Sequence, residues 1–215
     1  MQLRPTPPLR RVSSPLLTTE ETAAALRTSH SAASRSLRTL SAQGLARRIR
    51  HGLWSVASSP IDPRSIVAEL TRPFPAYVSF RSALAAHGAI DQIPREISVA
   101  SLDRPQRIET TLATYAIHRL PPELFGGFAE RSGVSLATVE KAIFDSFYVA
   151  CASGAPDRRL PELDLPADFS RTRLDGWVAR IRSARLRALV SAAIARARSN
   201  MRSTKTVRAA GAEIG

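Results

Sequence analysis

The apolar positions between residues 17 and 56 change from a helical spacing to a strand-like alternation. Thr18 and Glu21 have the spacing of a capping box, which predicts that a short helix follows. Ser29 is the expected cap of a second helix ending at Ala42, in which the apolar residues recur at intervals of four and three. That spacing predicts one buried face, formed by Ala33, Leu37 and Leu40.

A β-hairpin is expected directly after these helices. Gly44 ends the second helix, residues 45–50 and 53–56 have strand patterns, and His51-Gly52 forms the turn between them. Helix, turn, helix and hairpin within about forty residues is the order of a winged helix-turn-helix domain. The alternative is a small structural domain with a solvated basic face.

The rest of the chain has the alternating pattern of an α/β domain that ends in helices. A helix over about 136–150 should bury Val139, Ile143 and Phe147. Two apolar stripes that are rotated relative to each other predict two final helices, with a break near Ser183. The other expected elements are helices over about 64–70 and 80–87 and strands over about 96–100 and 114–120.

Proline-rich and polar stretches suggest where the domains begin and end. We expect a basic flexible arm over 1–16, a winged helix-turn-helix domain over 17–58, an α/β domain with C-terminal helices over 64–200, and a tail over 201–215. The predicted fold class is therefore mixed, or α+β. In it, the N-terminal winged helix precedes an α/β domain ending in Arg-rich helices.

The charge is strongly positive and unevenly distributed. The formal net charge is +13, and residues 1–58 hold nine arginines against two glutamates. Residues 59–169 hold 11 basic and 14 acidic side chains, whereas residues 170–215 hold 11 basic and two acidic ones. This distribution makes a polyanion the first candidate partner for the two ends, although a GC-rich genome also enriches arginine.

The second predicted helix carries small polar residues and arginines on its outer face. Small side chains permit close approach to the major groove, and an arginine can pair with guanine or hold a phosphate. The arginines of the hairpin would reach the flanking backbone or the minor groove. The expected DNA contacts are Ser29, Ser31, Ser34, Arg35, Arg38, Arg47, Arg48 and Arg50.

The arginines of the two final helices allow three interpretations. They could support helix packing through their aliphatic stems, contact phosphates as a second surface, or face an acidic toxin or RNA. The scarcity of acidic residues to pair with them favours a polyanion contact. The residues concerned are Arg180, Arg182, Arg185, Arg187, Arg196 and Arg198.

No catalytic, cofactor or metal motif stands out in the sequence. His87 and His118 have no companion at metal-ligand spacing, and the single cysteine, Cys151, has no motif around it. Lys141 directly follows Glu140 on a predicted helix, which is not the spacing of a nuclease site. We therefore expect a protein that is not an enzyme, has no cofactor or metal, and lacks a membrane span and a signal peptide. The expected location is the cytoplasm.

Several segments together resemble the AbiEi-type antitoxins. Residues 40–54, LSAQGLARRIRHGLW, are similar to the winged-helix domain of that family, except that Trp54 stands where tyrosine is usual. Residues 77–88, YVSFRSALAAHG, resemble the opening of the family's antitoxin domain, and residues 97–100 and 139–145 resemble its later strand and helix. The resemblance spans roughly residues 17–150.

This resemblance implies a bacterial toxin–antitoxin operon. The protein would bind inverted repeats in its own promoter as an autorepressor, with two copies on a two-fold operator. It would also neutralise a cognate nucleotidyltransferase-like toxin, with or without direct contact. Two other interpretations stay open: a stand-alone regulator whose second domain senses a small ligand, and a protein-interaction module that uses the winged helix for docking.

Overall fold

The computed structural model describes residues 15–56, 60–157, 160–197 and 201–203. The chain divides into two compact units. The first contains residues 1–63 together with Glu109–Ala113, and the second contains residues 64–108 and 114–215.

The first unit combines two helices with a small sheet. Its elements in chain order are β1 (Leu16–Thr18), α1 (Thr19–Leu26), α2 (His30–Ala42), β2 (Arg47–Arg50) and β3 (Leu53–Ser55). The three strands form an antiparallel sheet in the order β1-β3-β2. The expected helices and hairpin are confirmed, and β1 begins at Leu16, within the segment expected to be an arm. Residues 1–14 of that arm lie outside the described residues.

The local signals that predicted these helices act as expected. The Thr18 hydroxyl accepts a hydrogen bond from the Glu21 N–H at 3.0 Å, and the Glu21 carboxylate accepts one from the Thr18 N–H at 2.9 Å. Ser29 caps α2 by accepting from the Ala32 N–H at 3.2 Å. Gly52, with φ +78°, forms the hairpin turn in a backbone conformation that favours glycine.

A small core fixes α2 against the rest of the first unit. Ala33 and Leu37 are fully buried, as the helical spacing predicted, whereas Leu40 is only half-buried. The buried Trp54 on β3 donates its indole N–H to the Thr19 hydroxyl at 3.1 Å, which connects the sheet to the start of α1. The opposite face of α2 is thereby left to solvent.

The second unit contains the larger sheet and five helices among its described residues. Its strands are β4 (Ala76–Val78), β5 (Ile97–Ser101), β6 (Gln106–Glu109), β7 (Thr114–Arg119), β8 (Phe128–Arg131), β9 (Val134–Ala137), β10 (Leu163–Leu165) and β11 (Met201–Ser203). Its helices are α3 (Val67–Leu70), α4 (Phe80–Ala86), α5 (Val139–Ala152), α6 (Arg171–Ala179) and α7 (Ala184–Ala197).

The large sheet is mixed and has the order β6-β7-β5-β4-β9-β8. Strand β5 runs parallel to β7 and antiparallel to β4, and β4 runs parallel to β9. Helix α5 contacts α4, α6 and α7, which makes it the centre of the helical layer. The mixed α/β class is thus confirmed at the level of helices and a mixed sheet.

The hairpin of β8 and β9 was not predicted from the sequence. Its two-residue turn, Ser132-Gly133, has positive φ at both positions, +51° and +75°. That geometry is typical of the type I′ turns that join adjacent antiparallel strands. The helix expected over 136–150 begins three residues later, at Val139, because β9 occupies the residues before its cap, Thr138.

The segment expected to be a tail, residues 201–215, begins with a strand. The break between the last two helices lies at residues 180–183, as the offset stripes predicted. After α7, however, Met201–Ser203 pair in parallel with Leu163–Leu165. Leu163 and Leu165 are buried apolar residues of β10. The unpaired backbone N–H and C=O groups at the edge of such a strand can bond to another strand. None of the described helices is both long and apolar enough for a membrane crossing.

Candidate nucleic-acid interface

The solvent face of α2 brings together four of the expected DNA contacts. Ser34, Arg35 and Arg38 follow Ser31 by three, four and seven positions, so all four residues share one face of the helix. Ser31, Arg35 and Arg38 are exposed, and Ser34 is half-buried. The buried side of the same helix is formed by small and aliphatic residues. The fold therefore fixes which side of α2 can meet a ligand.

Ser29 has a different role from its neighbours. Its hydroxyl accepts the Ala32 N–H and also shares a hydrogen bond of 3.0 Å with the Ser31 hydroxyl. A hydroxyl used in this way orients the first turn of α2 and the side chain of Ser31. Ser29 therefore positions the helix, and a direct DNA contact from it stays a prediction.

The positive charge of the α2 face is not balanced by acidic side chains of the same helix. The helix contains no acidic residue, and neither Arg35 nor Arg38 forms an ion pair with any residue that the structure describes. Thr39 donates its hydroxyl to the Arg35 carbonyl at 3.1 Å, a contact that leaves the guanidinium untouched. Two exposed guanidinium groups one helical turn apart are thus available to an anion.

The hairpin presents two of its three arginines to solvent. Arg47 and Arg48 are exposed on β2, and the Arg48 guanidinium lies 5.8 Å from the centre of the Trp54 ring. Arg50 is half-buried, and burial lowers the pKa of its guanidinium below the usual value. Of the three, Arg47 and Arg48 are better placed for a phosphate contact.

A short segment from later in the chain completes the first unit at β2. The Thr111 N–H donates to the Ile49 carbonyl at 3.0 Å, and the Thr111 hydroxyl donates to the Arg48 carbonyl at 3.1 Å. The Arg47 guanidinium lies 3.4 Å from the Thr111 carbonyl. These bonds satisfy backbone groups of a strand that would otherwise form the edge of the small sheet. No sequence signal pointed to this insertion, because the partners are more than sixty residues apart.

Most of the C-terminal arginines contact groups of their own unit. Arg180 stacks over the Trp177 ring at 4.2 Å, Arg182 lies 3.3 Å from the Glu123 carboxylate, and Arg187 donates to the Ile181 carbonyl at 2.9 Å. Such contacts are typical of arginines that support helix packing.

The remaining C-terminal arginines differ from one another. Arg196 lies 3.5 Å from the Asp157 carboxylate, whereas Arg185 is exposed on α7. Arg198 lies outside the described residues. The polyanion contact proposed for this region of the chain stays a prediction.

A buried polar cluster, which the sequence did not predict, lies at the start of α5. The fully buried Lys141 ammonium donates to Asp145 Oδ1. Asp145 Oδ2 accepts from the Ser79 hydroxyl at 2.7 Å and from the Tyr77 hydroxyl at 3.1 Å. The ammonium also lies 4.5 Å from the centre of the Trp177 ring. Every partner of the pair thus comes from inside the second unit.

The pKa values of this cluster reflect its burial. Desolvation lowers the pKa of Lys141 and raises that of Asp145, while their attraction opposes both shifts. Burial next to Asp145 also raises the pKa of Tyr77. Because Lys141 and Asp145 are fully buried and bond to each other and to side chains of the same unit, we interpret the cluster as a structural ion pair.

Glu140, the neighbour of Lys141, forms hydrogen bonds to the N-terminal end of α6. Its carboxylate accepts the Ser170 N–H at 2.8 Å and an Arg173 guanidinium N–H at 2.8 Å. Burial alone would raise the pKa of Glu140, but these hydrogen bonds outweigh it and keep the pKa below the usual value. Glu140 thus stabilises the N-terminal end of α6 in its ionised form.

His87 and Cys151 both lie in contact with the interior of the second unit. His87 shares a hydrogen bond of 2.8 Å with the Ala137 carbonyl, and the buried Cys151 has its thiol pKa raised by desolvation. Within the described part of the chain, no group of three His, Cys, Asp or Glu side chains could hold a metal ion.

No protein-family model matches the chain, and a search of curated proteins finds no significant match.

Proposed function

We propose that this protein is a DNA-binding transcriptional regulator of the AbiEi antitoxin type, which represses its own operon and counteracts a nucleotidyltransferase-like toxin. The observation that carries the DNA-binding half is the exposed face of α2. This face holds Arg35 and Arg38 without ion-pair partners among the described residues, and Arg47 and Arg48 follow on the adjoining hairpin. Strand, helix, turn, helix and hairpin are elements that a winged helix-turn-helix also contains.

In the proposed complex, α2 enters the major groove and the hairpin follows the backbone. Arg35 would donate both arms of its guanidinium to the N7 and O6 acceptors of a guanine, and Ser31 would allow close approach. Arg47 and Arg48 would neutralise phosphates beside the groove. Sequence preference would therefore depend on Arg35, whereas the salt dependence would depend on the arginines of β2.

The test is a titration of the full chain with the upstream region of its own operon and with unrelated DNA. Arg35→Ala should cost about 1–3 kcal/mol on the cognate repeat and relax the preference at one base. Arg48→Ala should weaken binding to all sequences alike and reduce the salt slope by about one. Arg131→Ala is the matched control, since Arg131 is an exposed arginine of the second unit. If Arg35→Ala weakens all sequences equally, Arg35 holds a phosphate and the assignment is wrong.

The antitoxin half rests on the resemblance of residues 77–88, 97–100 and 139–145 to that family. It is tested by co-expression with the product of the neighbouring gene in the operon. Restored growth with the wild-type chain, and also with Arg35→Ala, would separate neutralisation from DNA binding. Failure of both to restore growth would leave a regulator without an antitoxin role.

A further inference from the structure

The second unit contains an open cleft on one end of its large sheet. Arg107 on β6, His118 on β7 and Ser98 on β5 line it from three adjacent strands. Arg81 of α4 and Arg95 of the loop before β5 complete the wall. The cleft has a volume of about 710 Å³, which lies within the range of small-molecule sites.

The cleft is positively charged within an otherwise acidic part of the chain. Residues 59–169 hold more acidic than basic side chains, yet three arginines line the cleft against a single carboxylate, Glu96. Glu96 lies 3.5 Å from the Arg107 guanidinium, and Arg81 donates to the Gln92 side chain at 3.3 Å. Arg95 is exposed and has no ion-pair partner among the residues that the structure describes. The excess of positive charge here favours an anionic ligand.

A smaller apolar recess opens from the same wall. It has a volume of about 60 Å³ and shares Arg81, Ser98 and His118 with the cleft. Its other walls are mostly apolar, and they include the side chains of Phe80 and Phe147. A ligand that occupies both spaces has a charged end and a small apolar or aromatic end.

The backbone is strained at Phe80, which lines the recess and directly precedes Arg81, a residue shared with the cleft. Phe80 has φ +55°, a conformation that is a genuine outlier for a bulky side chain. Its ring lies 4.5 Å from the His118 ring, so the strained backbone places an aromatic wall beside a polar one. Backbone strain of this kind persists where the surrounding structure imposes it, and it is concentrated at ligand sites.

We propose that this cleft binds an organic phosphate, with the phosphate at Arg81, Arg95 and Arg107 and the apolar end of the ligand directed to the recess. Guanidinium groups bind phosphate and carboxylate in a bidentate manner. Three guanidinium groups from three segments of the chain provide many donors. The oxygens of a phosphate can accept more of these hydrogen bonds than the two oxygens of a carboxylate. The site shares no residue with the α2 surface, so it goes beyond the proposed function. Its test is independent of the test of DNA binding.

The experiment is an NMR titration of the full chain with adenosine 5′-monophosphate, which combines a phosphate with an aromatic group. Inorganic phosphate and adenosine serve as the two partial ligands. The expected result is that the nucleotide binds at least about tenfold more tightly than either part, because both spaces are then filled. Shifts should be concentrated at Ser98, His118 and the residues near Phe80.

Two variants test the arginines, and one serves as a control. Arg95→Ala, in an exposed loop, should weaken nucleotide binding by about tenfold or more, and Arg107→Gln should act in the same direction. Arg131→Ala, an exposed arginine outside the cleft, should leave binding unchanged. Equal affinity for adenosine and the nucleotide, unchanged binding in both cleft variants, or no binding at millimolar nucleotide would overturn the proposal.

Discussion

The buried pair of Lys141 and Asp145 gives the sharpest prediction about stability. Asp145→Asn keeps the size of the side chain but removes the charge that balances the Lys141 ammonium, which is fully buried. Removing one partner of a buried ion pair costs about 3–5 kcal/mol, because the remaining charge is left without compensation. The ring of Trp177, 4.5 Å from the ammonium, offsets part of this cost, so we expect about 3 kcal/mol.

The opposite substitution should cost a similar amount. In Lys141→Met, Asp145 still accepts hydrogen bonds from the Ser79 and Tyr77 hydroxyls. Its buried charge nevertheless loses the ammonium that balances it, and protonation at neutral pH is opposed by the low pKa of the carboxyl in the unfolded chain. We therefore expect a loss of about 3 kcal/mol here too. The double variant should lose only about 3 kcal/mol, because it leaves no buried charge behind.

The measurement is urea unfolding at neutral pH, followed by tryptophan fluorescence. The chain has two tryptophans, and a Trp54→Phe background lets Trp177 report on the second unit alone. The free energies of unfolding of the two single variants and the double variant should give a coupling energy of about 3 kcal/mol. A cost below about 1 kcal/mol for Asp145→Asn, or additive single costs, would refute a structural ion pair at this position.

Two further predictions concern neighbours of that pair. Gly127→Ala should destabilise the second unit by at least about 2 kcal/mol more than Gly133→Ala. Both glycines have similar positive φ, but a Cβ at Gly127 would lie 2.6 Å from the Trp177 ring, whereas Gly133 faces open space; equal losses in urea unfolding would contradict this. The ionised Glu140 should stabilise the fold above its unfolded pKa near 4.5, and this contribution should disappear as the pH falls through its lower folded pKa. The stability difference between wild type and Glu140→Gln should therefore shrink on acidification, and a difference that does not change with pH would argue against the prediction.

The first unit was predictable because its signals are local. Thr18 with Glu21 and Ser29 cap helices within three residues of themselves, and Gly52 sits in a two-residue turn. The addition of Thr111 to the edge of β2 depends on a residue more than sixty positions away. Spacing along the sequence contains no signal for this contact.

The centre of the second unit shows the same limit. The helical spacing of Val139, Ile143 and Phe147 identified one buried face of α5 correctly. It did not reveal that Lys141 and Asp145 are buried as well, because α4, α6 and α7 all contact the helix. The available signal was an i, i+4 pair of opposite charges in a helix that is apolar on most sides. The cleft near Ser98 likewise depends on how three strands are ordered in the sheet.

DNA binding by the α2 face is the central claim, and one measurement tests it most directly. Wild type, Arg35→Ala and Arg131→Ala are titrated at two salt concentrations with the upstream region of the operon and with unrelated DNA of equal length. We predict salt-dependent binding that favours the operon DNA, loss of that preference in Arg35→Ala, and unchanged binding in Arg131→Ala. Binding that is absent, insensitive to salt, or equally tight in Arg35→Ala and wild type would contradict it.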